Sequence, residues 1–330
     1  MGSFKAKVFH NRYLITLRHR RNVTRHLTPK KVANFLTNEV EFRARKTKLR
    51  SLPYFIKIET AGTCQLRCPG CCLGSSETAK YNKEAMLSVD GLKRIIDSLS
   101  DVLVGANLSL LGEAFLNPNL LEMVSYCRDK NVGTVFPTNL SIKLSQDEIE
   151  GVVKSGLDHL MVSIDGTTQE VFEKYRRGAN LDLVLKNSAA IIAAKKALGS
   201  KYPFMEFKFI LFDHNRDQLG EAENLSQKMG FNKFSVVLDN ASPVTAEAME
   251  QARARNMAKK RACFWPWNSA VIRWDGTVLP CCTSLAKMGN IYETPFTEIW
   301  NNSKYQTLRA FFANHERNEV TKSCFPCMRF

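Results

Sequence analysis

The stretch Phe55-Ile-Lys-Ile-Glu59-Thr-Ala-Gly-Thr-Cys64-Gln-Leu-Arg-Cys68-Pro-Gly-Cys71-Cys72 joins a short aromatic and β-branched run to a cysteine-dense loop. Phe55–Glu59 reads as a strand, and runs of the same kind recur along the chain. They fall at Asn107–Leu111, Gly133–Pro137, His159–Ile164, Phe204–Phe212 and Lys233–Leu238. Helical patterns separate them. One opens at Ser88, an N-cap residue, and carries Leu92, Ile95, Ile96 and Leu99 at i, i+3, i+4, i+7 spacing. Others cover roughly 117–130, 145–155, 168–198 and 215–229, the last stopped by Gly230. Six strands alternating with helices predict βαβ units and a parallel sheet. Periodicity leaves open whether the sheet curls into a barrel or is wound on both faces.

Composition sets the outer bounds. The 330 residues are 44% apolar and 24% charged, which excludes wholesale disorder. No apolar run approaches the ~18 residues of a membrane span. Tyr13–Leu17 is too short for a secretory core. Ala6 breaks a myristoylation box and Arg329 a prenylation box. The expectation is a soluble, cytoplasmic protein. In a reducing compartment, grouped cysteines bind metal or do chemistry rather than pair. Eight of the ten cysteines are grouped: Cys64, Cys68, Cys71 and Cys72; Cys281 and Cys282; Cys324 and Cys327. Cys127, beside Met123 and Val124 in a helical pattern, reads as buried packing.

The C-x3-C-x2-C spacing of Cys64, Cys68 and Cys71 puts three thiolates on one loop. Such a loop can hold three irons of a [4Fe–4S] cluster and leave the fourth open to a substrate or cofactor. Parallel βα folds place their sites at this end of a strand. The competing reading is zinc with Cys72 as fourth ligand; adjacent side chains on an extended loop diverge, which weighs against it.

A C-x3-C-x2-C loop after the first strand of a six-fold βα repeat resembles the radical S-adenosylmethionine (SAM) superfamily, and the match runs on in order. Leu111-Gly112-Glu113 follows the second strand, Thr138-Asn139 ends the third, and Ser163-Ile-Asp165-Gly166 ends the fourth, with Tyr175-Arg176-Arg177-Gly178 beyond. The resemblance implies an α/β fold, a partial (β/α)6 TIM-like barrel, with Gly112, Glu113, Thr138, Asn139, Ser163, Asp165 and Arg176 around SAM. Arg177 is the alternative to Arg176. Ala114 stands where the family has Pro. The chemistry is consistent: a zwitterionic sulfonium calls for a carboxylate, a guanidinium and small polar groups.

Farther on, Cys263-Phe-Trp-Pro-Trp267, Trp274-Asp-Gly276, Pro280-Cys281-Cys282, Met288-Gly-Asn290, Glu298-Ile-Trp-Asn301 and Cys324-Phe-Pro-Cys327 resemble the SPASM/twitch extension of such enzymes. It is a small α+β domain built round an auxiliary [4Fe–4S] cluster, here with ligands Cys263, Cys281, Cys324 and Cys327. Four cysteines from a hairpin and a tail also suit a zinc ribbon. Val271–Leu279 reads as a hairpin, its Asp275-Gly276 favouring a type I′ turn. Helices are expected at 245–262 and about 295–313.

The charge is uneven. Residues 1–50 hold 14 Lys or Arg against Glu39 and Glu41, so 14 − 2 = +12 of the chain's +15. Val32, Phe35, Leu36, Val40 and Phe42 make 28–46 an amphipathic pattern, suited to packing on the body or to an anionic membrane surface. Nucleic acid ranks lower, since no basic stripe continues into the body. Three parts are expected: a basic arm at 1–50, the core barrel at 51–242, and the auxiliary-cluster domain at 243–330.

The resemblance implies an enzyme that cleaves SAM to a 5′-deoxyadenosyl radical, which takes a hydrogen atom from a small-molecule or peptide substrate. An external one-electron reductant of flavodoxin or ferredoxin type feeds it. Oxidation is the leading outcome. Epimerisation, with Cys72 or Cys282 returning a hydrogen atom, and a non-catalytic zinc or iron–sulfur module associated with RNA are the alternatives.

Overall fold

The computed structural model describes residues 24–74, 84–238 and 263–314. The helix expected at 245–262, the boundary near 241–250, and Cys324 and Cys327 lie outside the described residues. So does the first half of the basic arm.

Six parallel strands form the body: β1 (Phe55–Ile58), β2 (Gly105–Asn107), β3 (Gly133–Thr138), β4 (His159–Ser163), β5 (Phe204–Leu211) and β6 (Lys233–Leu238). They pair strictly in sequence order, β6-β5-β4-β3-β2-β1. That order decides what periodicity left open. A doubly wound sheet reverses its strand order at a switch point. Here every crossover steps the same way, so right-handed connections stack all the helices on one face and curl the sheet away from them. The curl stays open, because β6 pairs with β5 and the other edge of β1 takes a later strand.

Between the strands lie α2 (Val89–Asp97), α3 (Leu120–Asp129), α4 (Gln146–Lys154), α5 (Gln169–Tyr175), α6 (Leu181–Ala197) and α7 (Leu219–Met229). α1 (Pro29–Arg43) precedes them all. The outer strand positions Ile56, Ile58, Phe136, Leu160, Val162, Phe207 and Phe209 are wholly buried, as are Leu92, Ile95, Ile96, Met123, Val124 and Cys127 on the helices. Each such side chain contributes about 2 kcal/mol by leaving water. Strand register sends the alternate residues inward. Lys57 lies level with Asn107, Met161 with Glu206, and Ser163 with Lys208, which is level with Ser235. The lumen is therefore polar.

Several boundaries moved for local reasons. β2 ends at Asn107 rather than running to Leu111, because the Asn107 side chain accepts from Ser109 N and turns the chain. The pattern at 168–198 splits into α5 and α6: Gly178 takes φ +83° and Asn180 caps the second helix. Residues 213–218 form 3-10 helix before α7, which ends at left-handed Gly230. Ser88 caps α2 as its side chain suggests.

The C-terminal extension continues the same sheet. After α8 (Trp265–Asn268), β7 (Val271–Ile272) pairs parallel with β1, then β8 (Thr277–Leu279) and β9 (Gly289–Asn290) add antiparallel. Gly276 has positive φ at the turn while Asp275 does not, and Arg273 O accepts from Gly276 N. The turn is type I with a left-handed glycine at its end, not type I′. The helix expected over 295–313 is two, α9 (Phe296–Ile299) and α10 (Ser303–Asn314), broken where Asn302 accepts from Tyr305 N. Arg309 is buried among Trp300 and Tyr305 and donates to the carbonyls of Thr47, Pro266 and Trp300. It ties the extension to the N-terminal segment.

α1 overturns the expected packing. Lys31, Asn38, Glu39 and Glu41 are buried, whereas Val32, Leu36 and Val40 are exposed. Only Phe35, edge-on to Tyr54, and Phe42, edge-on to Trp267, turn inward as an amphipathic reading requires. The polar groups win because the body presents polar partners: Asn131 O for Lys31, Ser51 and Trp267 O for Asn38, and Arg50 N and Ser51 for Glu41.

Candidate active site

The first cysteine loop lies beyond β1 and is built tightly. Cys71 N donates to Cys68 O, Gly70 takes φ +76°, and Gly74 N donates to Cys71 O. Cys68 is buried; Cys64 and Cys71 are partly so, and Cys72 is exposed. Burial pushes the Cys64 thiol up to about 12 and raises Cys68, with the neighbouring thiols adding to both. Such thiols stay protonated until a metal displaces the proton. A hydrogen-bond donor and a cation already reach two sulfurs. Asn139 Nδ2 stands 3.7 Å from Cys64 Sγ, and the positive charge of Arg176 lies against Cys68 and favours its thiolate. Among the described residues no three His, Cys, Asp or Glu side chains surround a single-ion position. The donor set, clustered thiols with an N–H group and a positive charge beside the sulfurs, fits an iron–sulfur cluster.

Around this loop the fold collects the residues singled out from sequence. Glu113 is buried between β2 and α3 and accepts from Thr138 Oγ1 at 2.7 Å, Asn139 N at 2.7 Å and Phe115 N at 3.2 Å. Burial raises its pKa against those donors. A carboxylate accepts about four hydrogen bonds, so among the described residues one position stays open. Gly112 is there for space, since a Cβ would collide with the carbonyls of Ala61 and Thr63, and the close approach lets Glu113 N reach Thr63 O.

Asp165 is fully enclosed. Its Oδ2 accepts from Arg176 Nε at 2.6 Å and its Oδ1 from Ile210 N at 2.6 Å. Its carboxylate holds Arg176 in place. Arg176, largely buried, is the inward member of the double Arg; Arg177 is exposed and lends its carbonyl to Arg67 N. Ser163 faces the lumen at the end of β4, level with Lys208.

Four participants escaped the sequence reading. Gln65 donates to Asn139 Oδ1 and Ser141 O, locking the loop to β3. Glu59, at the end of β1, pairs with Arg273 of the hairpin at 3.1 Å. At the opposite end of the lumen, Glu206 is held by His159 at 2.9 Å, Lys233 and Ser235. Those donors bring it down to about 2 against its burial. Lys208 lies in the lumen with its pKa lowered by burial and by Arg176. A lone inward Lys on a strand has no spacing signal; its register alone reveals it.

The second cysteine group is set apart. Cys263 is buried ahead of α8, and Cys281 and Cys282 follow β8, each half-buried. Val271 lies level with Lys57 in the parallel pair and with Leu279 in the antiparallel one. Cys281 therefore falls at the level where β1 begins, opposite the first loop. Four strand residues at ~3.3 Å each separate those levels by about 13 Å. Burial raises the Cys281 pKa. Cys324 and Cys327, the other two cysteines of this group, lie outside the described residues.

Comparison with known proteins finds two family models on the chain. Residues 58–201 match the radical SAM superfamily and residues 263–328 the SPASM iron–sulfur cluster-binding domain. The chain is 23% identical over 306 residues to an AdoMet-dependent heme synthase of Methanosarcina barkeri, covering 78% of this chain and 84% of that protein. To a PqqA peptide cyclase of Ruegeria pomeroyi it is 22% identical over 317 residues, covering 84% and 80%. Among solved structures, SAM-bound SuiB of Streptococcus suis superposes with a TM-score of 0.62 at 15% identity, covering 90% of this chain and 73% of that one.

Proposed function

The chain belongs to the radical SAM superfamily and carries a SPASM extension, and from that premise we propose that it oxidises a peptide or small-molecule substrate by two electrons. Family membership brings SAM, a SAM-binding [4Fe–4S] cluster and auxiliary iron–sulfur chemistry. When bound, these supply a 5′-deoxyadenosyl radical and an acceptor for one substrate electron.

The chain's own residues then have separable roles. Cys64, Cys68 and Cys71 hold the first cluster; Asn139, donating to Cys64, and the charge of Arg176 beside Cys68 orient it. Glu113 meets the SAM ammonium with its one open acceptor position, and Arg176, fixed by Asp165, meets the carboxylate. Ser163 and Thr138 lie on the same rim. Hydrogen-atom abstraction leaves a neutral carbon radical, which must lose an electron and a proton to become a product two hydrogens lighter. Lys208 takes that proton. The carboxylates nearest it are already engaged, Asp165 by Arg176 and Glu206 by His159 and Lys233, and its lowered pKa makes the free amine accessible.

The observation that carries this reading is the convergence of Glu113 after β2, Asn139 after β3 and Arg176 after α5 on one cysteine loop. The test is anaerobic turnover with SAM and dithionite in D2O against candidate peptides and small molecules, read by mass spectrometry. A product lighter by two hydrogens, formed with 5′-deoxyadenosine, is expected. A product of unchanged mass carrying one deuterium, lost in Cys72→Ala or Cys282→Ala, would overturn oxidation in favour of epimerisation.

A further inference from the structure

Helix α1 is built inside out. Val32, Leu36 and Val40, at i, i+4 and i+8, form one row on its outer face, 40%, 57% and 60% exposed, with Leu27 exposed just before it. Ordinary surface helices bury such a row. Here nine large apolar side chains are exposed among the described residues and four of them fall in this one segment, so the row is a concentrated patch rather than scatter.

Charge says what the patch meets. Residues 1–50 contain only two acids, and both face inward. Glu41 spends its carboxylate on Arg50 N and on Ser51 N and Oγ, and Glu39 is buried. The bases divide differently. Lys31 is buried, and Arg25 and Lys30 pair with Asp158 and Asp101 of the body. Arg43, three residues beyond Val40 on the same helical face, is exposed although it lies 3.7 Å from Glu39, and Lys46, Lys48 and Arg50 after it are exposed. The outward surface is thus apolar and cationic with no acid of its own. A protein partner of opposite charge would need acidic and apolar groups together; a bilayer of anionic lipid offers both everywhere, with acyl chains beneath phosphates. We infer that the outer face of α1, with Val32, Leu36 and Val40 as its apolar row and Arg43 as its cation, docks the enzyme on an anionic lipid surface, with the exposed Lys46 and Lys48 just beyond the helix adding positive charge. This goes beyond the proposed reaction and stands without it.

The full-length protein is sedimented with sucrose-loaded vesicles of phosphatidylcholine, with and without phosphatidylglycerol. Binding is expected to the anionic vesicles alone and to weaken with salt. The combined substitution Val32→Ser, Leu36→Ser, Val40→Ser should lower partitioning by about tenfold or more, since each lost aliphatic contact multiplies with the others. Its SAM cleavage should be unchanged, which shows it folded. The second variant, Arg43→Gln, Lys46→Gln, Lys48→Gln, should bind less and lose most of the salt dependence. Equal binding by wild type and the serine variant overturns the proposal, as does wild type that stays in the supernatant with both vesicle types. A dimer that dissociates in the serine variant, with no vesicle binding, would assign the face to a second copy instead.

Discussion

The two cysteine groups of this chain are organised in opposite ways. Cys64, Cys68 and Cys71 lie within eight residues on one loop, which Gln65 of the same loop ties to Asn139, and the fold brings Glu113, Asn139 and Arg176 to it from other parts of the chain. Cys281 is set at the far level of β1 by a hairpin, Cys263 lies ahead of α8, and the remaining cysteines of the motif come from the chain's tail. The first group has its geometry from local sequence and its chemistry from tertiary neighbours. The second depends on tertiary structure even for its ligand set. A radical generator needs an open, tunable iron beside its cofactor; an electron acceptor needs only to be held at a distance.

If that contrast is right, breaking the two groups should fail differently. Changing Cys64, Cys68 and Cys71 together to Ala is expected to abolish SAM cleavage and to leave about four of roughly eight irons after anaerobic reconstitution. Iron, labile sulfide and 5′-deoxyadenosine measure this. Zinc without sulfide in the remaining site would remove the oxidative role of the second group.

Cys281→Ser should also cost about four irons, yet it should leave 5′-deoxyadenosine formation standing while the lighter product disappears. If SAM cleavage falls as far as in the triple variant, the two sites are not separable and the contrast collapses.

Glu113→Gln sharpens the first site from within. It keeps the shape but removes the charge facing the SAM ammonium, a contact of roughly 1.5–3 kcal/mol, so SAM affinity should fall by about tenfold or more while cluster absorbance persists. Arg176→Lys should act similarly, because a lysine cannot reproduce the fork that holds Asp165 and lies against Cys68. Unchanged affinity in both would move SAM off this rim.

An effect on stability rather than on turnover belongs to the far end of the lumen, at Glu206. The folded Glu206 pKa, about 2, lies below its ordinary 4.5. Its stabilisation is therefore full above pH ~4.5 and lost as pH falls towards ~2. Glu206→Gln should cost up to about 3 kcal/mol at neutral pH, and denaturation midpoints of variant and wild type should approach each other in acid. A gap that does not narrow would mean His159 and Lys233 do not hold the carboxylate as an ion.

Much of this was legible in the residues. The β-strand runs were right within a few residues, apart from β2, because β-branched clusters punctuated by turn residues leave few other options. Ser88 and Gly230 announced a helix start and stop through their side chains alone. The double Arg was not legible: Arg176 and Arg177 differ only in which one the end of α5 points inward. Nor was the break at Gly178, since an apolar period runs straight across it.

What the sequence by itself determined is the chemistry of the cysteine loop and the alternation of strands and helices, since both rest on spacing within a few residues. Periodicity left the barrel open and the family resemblance supplied it, whereas the lining of the lumen and the inverted first helix were decided only in three dimensions. Strand order set which face the helices cover. Register alone turned Lys208 and Glu206 inward. The pull of Asn131, Ser51 and Trp267 on Lys31 and Asn38 exceeded that of burying Val32, Leu36 and Val40. A buried polar group left without a partner costs about as much as an aliphatic side chain gains, and which partners exist is a property of the folded body.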